Sequence, residues 1–407
     1  MDLRLNPRQT DLRARWVGIG QAFALDNHNQ VQESVVDSQP AGEGQMIFER
    51  LISLVGAALF IMAPAFAQTE PASKYAVTEG DYVAHDFKFR SGEQLTDLRL
   101  HYRTLGKLAR DAQGRSTNVV LILHGTGGSG AQFLAPQFAG ELFGPGQLLD
   151  INRYFVILPD GIGHGKSSKP SDGMHAHFPS YDYDDMVAAQ HLLVTEGLGI
   201  QHLRLLMGTS MGCMHSFVWG ETYPDFADAL MPMACLPVQI AGRNRVWRKM
   251  LMDAIRKDPA WNGGEYKEEP KEGLRTAEDN LVVAGSAPLA MQKTLPTRDA
   301  ADKYVEEAEK RAGTLDANDL LYQVNASRNY DPSAQLEKIT AAVMWINSAD
   351  DFINPPELGI AEKESKQLKN GAFVLLPISE QTHGHGTHTW AVAWKDYLKQ
   401  LLDKTAH

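Results

Sequence analysis

The stretch Leu203-Arg-Leu-Leu-Met-Gly-Thr-Ser-Met-Gly-Cys-Met-His-Ser-Phe-Val-Trp-Gly-Glu-Thr222 decides the fold. Its apolar start has strand character, its end has helix character, and Gly208-Thr209-Ser210-Met211-Gly212 joins the two. A serine on so short a turn is held in a strained conformation, and only small residues two positions either side let strand and helix pass closely. The helix then points its N-terminal N–H groups at whatever reacts with the serine. The bland alternative is a glycine-flanked strand–helix turn. The strand before and the amphipathic helix after it favour Ser210 as a nucleophile, with the Met211 N–H as an oxyanion donor.

The same alternation extends outward in both directions. Strand patterns lie at 82–89, 98–104, 118–124, 154–159, 203–208, 229–234, 341–347 and 372–377. The inner ones are continuous apolar runs, as strands covered on both faces require. Helical patterns at 183–196, 211–222, 356–369 and 388–402 separate them. This order predicts an α/β fold with a mostly parallel central sheet and helices on both faces. Residues 239–337 break the rhythm: they are charged, helical around 246–257, 300–312 and 315–324, and lack a strand. They read as a helical insertion over the sheet, like a lid. The expected organisation is an N-terminal extension at 1–67, a core in two parts at 74–238 and 338–407, and the insertion at 239–337.

Composition narrows the function. The chain has 407 residues, 43% hydrophobic and 22% charged, with a net charge of −11 and no basic run, which argues against a nucleic-acid partner. Its two cysteines, Cys213 and Cys235, cannot supply a disulfide framework or a structural zinc site. One near the start of the helix after Ser210 and one at the end of the following strand could lie close together; buried free thiols are expected, with a single disulfide as the alternative. Residues 46–67 have a short charged start, the uncharged run LISLVGAALFIMAPAF and an Ala65-Phe66-Ala67 end. That pattern describes a secretory signal peptide cleaved after Ala67, the run being short and broken by Pro64; an uncleaved anchor and a buried segment are the alternatives. The mature chain is therefore expected in a periplasm or outside the cell, with no stable membrane insertion. A start at Met46 instead of Met1 gives the signal its ordinary place.

Three other segments have rival readings. His124-Gly125-Thr126-Gly127-Gly128-Ser129-Gly130 contains a G-x-G-x-x-G spacing, which would suit a nicotinamide dinucleotide in an oxidoreductase. That reading wants an acidic residue about 20 positions on, at the end of the next strand; that strand ends later, at Asp160. A His-Gly-x-Gly turn equally suits an oxyanion hole, with the Thr126 N–H as the second donor. Asp160-Gly-Ile-Gly-His-Gly-Lys-Ser167 resembles a phosphate-binding loop but starts on aspartate and precedes no helix, so it reads as a tight turn. His383-Gly384-His385-Gly386-Thr387-His388 has metallo-β-lactamase spacing, but Thr387 replaces the expected aspartate and little chain remains for further ligands. No metal and no cofactor are expected. Asp350 and Asp351 follow the strand at 341–347, and the interval to His385 holds one helix and one strand pattern.

From about Phe87 to Leu402 the chain resembles the homoserine O-acetyltransferase family of the α/β-hydrolase superfamily. The resemblance rests on Asn118-Val-Val-Leu-Ile-Leu-His124, Asp185-Met-Val-Ala-Ala-Gln190, Leu198-Gly-Ile200, Gly208-Thr-Ser-Met-Gly212 and Tyr223-Pro-Asp225. It continues in Asp253-Ala-Ile, Asp258-Pro-Ala-Trp-Asn-Gly-Gly-Glu-Tyr266, Asp316-Ala-Asn318, Asp351-Phe-Ile-Asn-Pro-Pro356 and Gly384-His385. It implies an α/β-hydrolase fold, with Ser210 as nucleophile, Asp351 over Asp350 as acid and His385 over His383 or His388 as base. It also implies acyl-enzyme chemistry on a small-molecule ester or thioester. Cys213 departs from the family's second glycine after the elbow, and a signal peptide departs from its cytosolic setting. Homoserine enzymes of the family carry an aspartate after the catalytic histidine for the substrate ammonium and an arginine in a Gly-Leu-x-x-x-Arg stretch for its carboxylate. Here Gly386 and Glu278 stand at those positions, with Arg275 one turn before. An exported ester hydrolase is the expected function. Acyl transfer to an alcohol, homoserine included, is the alternative; a nicotinamide oxidoreductase and an inactive binding protein are remote ones. The sequence is compatible with a homodimer.

Overall fold

The computed structural model describes residues 74–406, so the signal-peptide reading of 46–67 lies outside the described residues. Eight strands form one sheet: β1 (Thr78–Lys88), β2 (Gln94–Leu105), β3 (Val119–Leu123), β4 (Phe155–Pro159), β5 (Leu205–Thr209), β6 (Ala229–Met233), β7 (Ala342–Ser348) and β8 (Gly371–Leu376). Their order is β1-β2-β4-β3-β5-β6-β7-β8. The first two strands pair antiparallel and β2 meets β4 antiparallel; every later neighbour is parallel.

The inner strands alternate between two cores. Val119, Leu121 and Leu123 of β3 pack on one side with Met186, Phe217 and Trp345. Val120 and Ile122 pack on the other with Phe138, Leu142 and Leu398. Burial on both faces is the physical reason these strands read as unbroken apolar runs. The covering helices are α1 (Pro136–Leu142), α2 (Tyr183–Leu192) and α3 (Met211–Thr222). Asp182 caps α2 in a reciprocal capping box with Asp185.

Between β6 and β7 the chain forms α4 (Gly242–Lys257), α5 (Lys271–Ala284), α6 (Pro288–Thr294), α7 (Arg298–Ala312) and α8 (Ala317–Asn325). Leu251, Ile255, Leu274, Leu281, Leu320 and Val324 give this insert its own apolar core. Two helical patterns are shorter than their periodicity suggests. Only α9 (Ile360–Glu364) and α10 (Lys395–Lys404) are α-helical within 356–369 and 388–402, the flanks being 3₁₀ turns. Pro355 and Pro356 remove backbone donors at the first, and Gly359 enters its helix with φ 61°.

The expectation of free thiols is overturned. Cys213 and Cys235 form a disulfide, with their Cα atoms 5.8 Å apart. Both side chains are buried, as expected, but β5 and β6 are neighbours, so the first turn of α3 lands beside the end of β6. Proximity across adjacent strands makes the bond possible.

Candidate active site

The site is built at the carboxyl ends of β5 and β7 and on the loop after β8. Ser210 follows β5 directly and has φ 54° and ψ −108°, the strained turn that its sequence context predicts. A Cβ at Gly208 would strike the Gly212 carbonyl, and one at Gly212 would strike the Leu123 carbonyl. Only hydrogen fits at either position while β3, β5 and α3 keep this spacing.

His385 Nε2 lies 2.8 Å from Ser210 Oγ, and its Nδ1 lies 2.9 Å from Asp351 Oδ2. With Nδ1 donating to the carboxylate, Nε2 is left to accept the serine hydroxyl proton. Asp351 is buried and takes three more hydrogen bonds, from the Ile353 and Asn354 N–H groups and from Asn354 Nδ2. Burial works to raise its pKa, but attraction to His385 and the hydrogen bonds outweigh that and hold it below the usual carboxylate range. A serine hydrogen-bonded to a histidine that a buried carboxylate orients can generate a nucleophile at neutral pH.

The neighbouring candidates have other partners. Asp350 accepts the Gly384 N–H at 3.0 Å and the Ser348 hydroxyl, and so holds the loop that carries His385. His383 stacks on Trp390 at 4.1 Å between ring centres. His388 packs edge-on against His385 at 5.4 Å, and burial, with His385 adding to it, lowers its pKa to about 3. The three histidines do not converge on a common point, and among the described residues no histidine, cysteine, aspartate and glutamate cluster could hold a metal ion.

Residues 124–130 lie against the serine. A Cβ added at Gly125 would be 3.2 Å from Ser210 Cβ. Gly161 N–H donates to His124 Nε2 at 2.9 Å, so His124 Nδ1 carries the proton and donates to the Gly125 carbonyl at 2.8 Å. The Gly128 N–H donates to that carbonyl too. With its oxygen held from behind, the 125–126 peptide presents the Thr126 N–H the opposite way. That N–H makes no backbone hydrogen bond among the described residues. Met211, the first residue of α3, has an N–H that no turn of its own helix can satisfy. The glycine-rich loop runs directly into a 3₁₀ turn, Gly130–Leu134, with α1 starting only at Pro136, whereas a dinucleotide fold would open its helix at the loop itself. In the Asp160–Ser167 turn the Asp160 carboxylate accepts the Gly130 and Lys166 N–H groups and faces Arg103 at 3.0 Å. A carboxylate therefore fills the space a phosphate would need.

The insert contributes a buried polar group that the sequence does not advertise. Arg248 of α4 donates to Asn244, to Ser327 and to the Val324 carbonyl at the end of α8. The buried Tyr183 ring sits 4.7 Å from His215, and burial raises its hydroxyl pKa while Arg248, Ser327 and Thr126 pull it back. Glu278 is 1% exposed and faces Arg311 at 3.7 Å; burial raises its pKa to about 7. Arg275 is taken up by Glu272 and Glu309 at 3.2 and 3.6 Å.

Such an elbow serine, at the end of a central parallel strand and in hydrogen-bond contact with a histidine, defines a class of fold and chemistry. The family described as alpha/beta hydrolase fold matches residues 118–385. A homoserine O-acetyltransferase from Geotalea daltonii is 35% identical over 362 residues, covering 77% of this chain and 95% of that protein. The chain belongs to the homoserine O-acetyltransferase-like family of the α/β-hydrolase superfamily and is an enzyme of the hydrolase or acyltransferase type. An acetylester hydrolase from Corynebacterium glutamicum shares the fold, with a TM-score of 0.70 at 21% identity over 80% of this chain and 96% of that one. A homoserine O-acetyltransferase from Bacillus anthracis does so at a TM-score of 0.69 and 22% identity, over 81% and 98%.

Proposed function

We propose that this enzyme hydrolyses a small or medium ester through an acyl-enzyme on Ser210, and that water is its acceptor. The hydrogen-bonded series Ser210–His385–Asp351 carries the reading. His385 Nε2 takes the hydroxyl proton as Ser210 Oγ attacks the ester carbonyl, and the oxyanion is held by the Thr126 and Met211 N–H groups. His385 then gives its proton to the leaving alcohol. In the second half it takes a proton from the water that attacks the acyl-enzyme and returns it to Ser210 Oγ as the Oγ–acyl bond breaks and the carboxylic acid leaves. Asp351 keeps the imidazole tautomer and stabilises its charged form. The helices of 239–337 serve as a lid over this site.

The choice of water over homoserine rests on missing charges. Gly386 follows His385 and offers nothing to an ammonium group. In the insert, Glu278 would repel a substrate carboxylate instead of holding it, and Arg275 is already paired with Glu272 and Glu309. A site without its charged partners loses several kcal/mol of discrimination. The reading also places the enzyme outside the cytosol, exported by residues 46–67, and the Cys213–Cys235 disulfide supports an oxidising compartment.

Purified protein is to be incubated with acetyl-CoA and L-homoserine, and separately with short p-nitrophenyl esters with and without added alcohols. Ester hydrolysis should be the faster reaction. Homoserine-dependent release of CoA exceeding it would make the enzyme a homoserine acetyltransferase.

A further inference from the structure

We propose that the Cys213–Cys235 disulfide and Asn354 form one positioning device, which ties the turn bearing Ser210 to the turn bearing Asp351. It rests on the serine acyl-enzyme reading above and says what holds that site in register. Ser210 and Asp351 sit on separate loops after β5 and β7, and β6 lies between those strands. Asp351 takes two of its hydrogen bonds from N–H groups of its own loop. Those bonds fix its shape but not its place relative to the serine.

Asn354 supplies the link. Its Nδ2 donates at 3.0 Å to Asp351 Oδ2, the oxygen that faces His385, and at 3.0 Å to the Ala234 carbonyl at the end of β6. Ala234 has φ 66°, a conformation a residue with a Cβ holds only when its surroundings impose it. Its N–H is bonded to Ile346 of β7. The next residue, Cys235, is fixed on three sides: Asn347 bonds its N–H and carbonyl, Trp345 Nε1 bonds the same carbonyl, and the disulfide joins it to Cys213. Cys213 stands in the first turn of α3, three residues after the nucleophile. Ser210 N–H completes the frame by bonding the Met233 carbonyl at 2.9 Å. A closed path therefore runs from Ser210 through the disulfide, Ala234, Asn354, Asp351 and His385 back to Ser210.

The device has a kinetic signature distinct from simple stabilisation. Displacing one reacting group by about 1 Å costs on the order of 10²-fold in rate. Cys213→Ala/Cys235→Ala and Asn354→Ala are each expected to lower kcat about 10- to 100-fold. KM should stay within about twofold, because binding groups are untouched. Each variant is to be titrated to completion with a serine-reactive fluorophosphonate, so that kcat is expressed per labelled site. Full labelling with a low kcat per site supports the device, and so does a combined loss in the triple variant smaller than the product of the separate losses. A kcat per labelled site equal to that of the native enzyme, with only Tm lowered, overturns it. If the cysteine pair cannot be removed without loss of fold, Asn354→Ala, which leaves the disulfide intact, decides by the same measure. Native protein that takes no label, or Ser210→Ala protein that still takes it, overturns the underlying serine reading and this device with it.

Discussion

Replacing Asp351 by asparagine tests the proposed chemistry with almost no change of shape. Oδ1 of Asp351 accepts the Ile353 and Asn354 N–H groups, while Oδ2 accepts Asn354 Nδ2 and His385 Nδ1. All four partners are donors, and an amide has only one oxygen. If that oxygen takes the Oδ1 place, the new NH₂ faces two donors. His385 relieves the clash by moving its proton to Nε2, where it can no longer accept the proton of Ser210. If the oxygen takes the Oδ2 place, two buried backbone donors are orphaned at about 1–3 kcal/mol each. The first arrangement is favoured, and the wrong tautomer costs about 10³- to 10⁴-fold, or roughly 4–5.5 kcal/mol of transition-state stabilisation. Asp350→Asn is the matched control. Its amide oxygen can keep the Gly384 N–H and its NH₂ can donate to the Ser348 hydroxyl, so the loss should stay below about 10-fold. The assay is kcat/KM on p-nitrophenyl acetate, with circular dichroism to confirm the fold. A collapse of activity in Asp350→Asn together with near-native activity in Asp351→Asn would refute the reasoning.

Ser210→Ala and His385→Ala should each lower turnover by about 10³-fold or more with the fold intact; a turnover within tenfold of native in either would remove that residue from the mechanism. Gly212→Ala drives a methyl group into the Leu123 carbonyl and should cost about 1–3 kcal/mol along with most activity, so an unchanged Tm would contradict the packing described. Glu278, at an ordinary value of 4.5 when unfolded and about 7 when folded, binds more protons in the native state between those pH values, so its contribution to stability is lost as pH rises through that window. Glu278→Gln should therefore raise Tm at pH 8 and leave it nearly unchanged at pH 4.5, and equal shifts at both would rule out the titration. Intact-mass analysis of protein from its native host should place the mature N-terminus at Gln68; a chain still carrying residues 1–67 would end the export proposal.

Much of the fold was legible because local pattern and burial coincide. Strands covered on both faces must be apolar throughout, which made β3 to β7 legible as unbroken runs; the half-exposed β1, β2 and β8 showed in shorter patterns, and each of the eight overlaps its pattern. The Gly208-Thr-Ser-Met-Gly212 turn was legible for a related reason: a strained serine between two close-packed backbones permits few other residues. The helices after Pro356 and His388 were overextended, since periodicity does not report where proline removes a donor or a loop must turn to bring a histidine inward.

What only the tertiary structure decided are relations between segments far apart in the chain. Asp350 and Asp351 are separated in sequence by the family resemblance alone, not by the strand before them; in space Asp351 meets His385, and Asp350 is spent on the Gly384 N–H. The positions of the two cysteines, one early in the elbow helix and one at the end of the next strand, allowed them to be close, but which state they take depends on β5 lying next to β6. Asn354 and His124 are ordinary polar residues in sequence and become positioning groups only where a distant backbone group comes within reach, the Ala234 carbonyl for Asn354 and the Gly161 N–H for His124. Sequence alone determined which backbone could form, because propensity and burial act residue by residue. Which side chains meet was left to the sheet order, because hydrogen bonds and disulfides act across space.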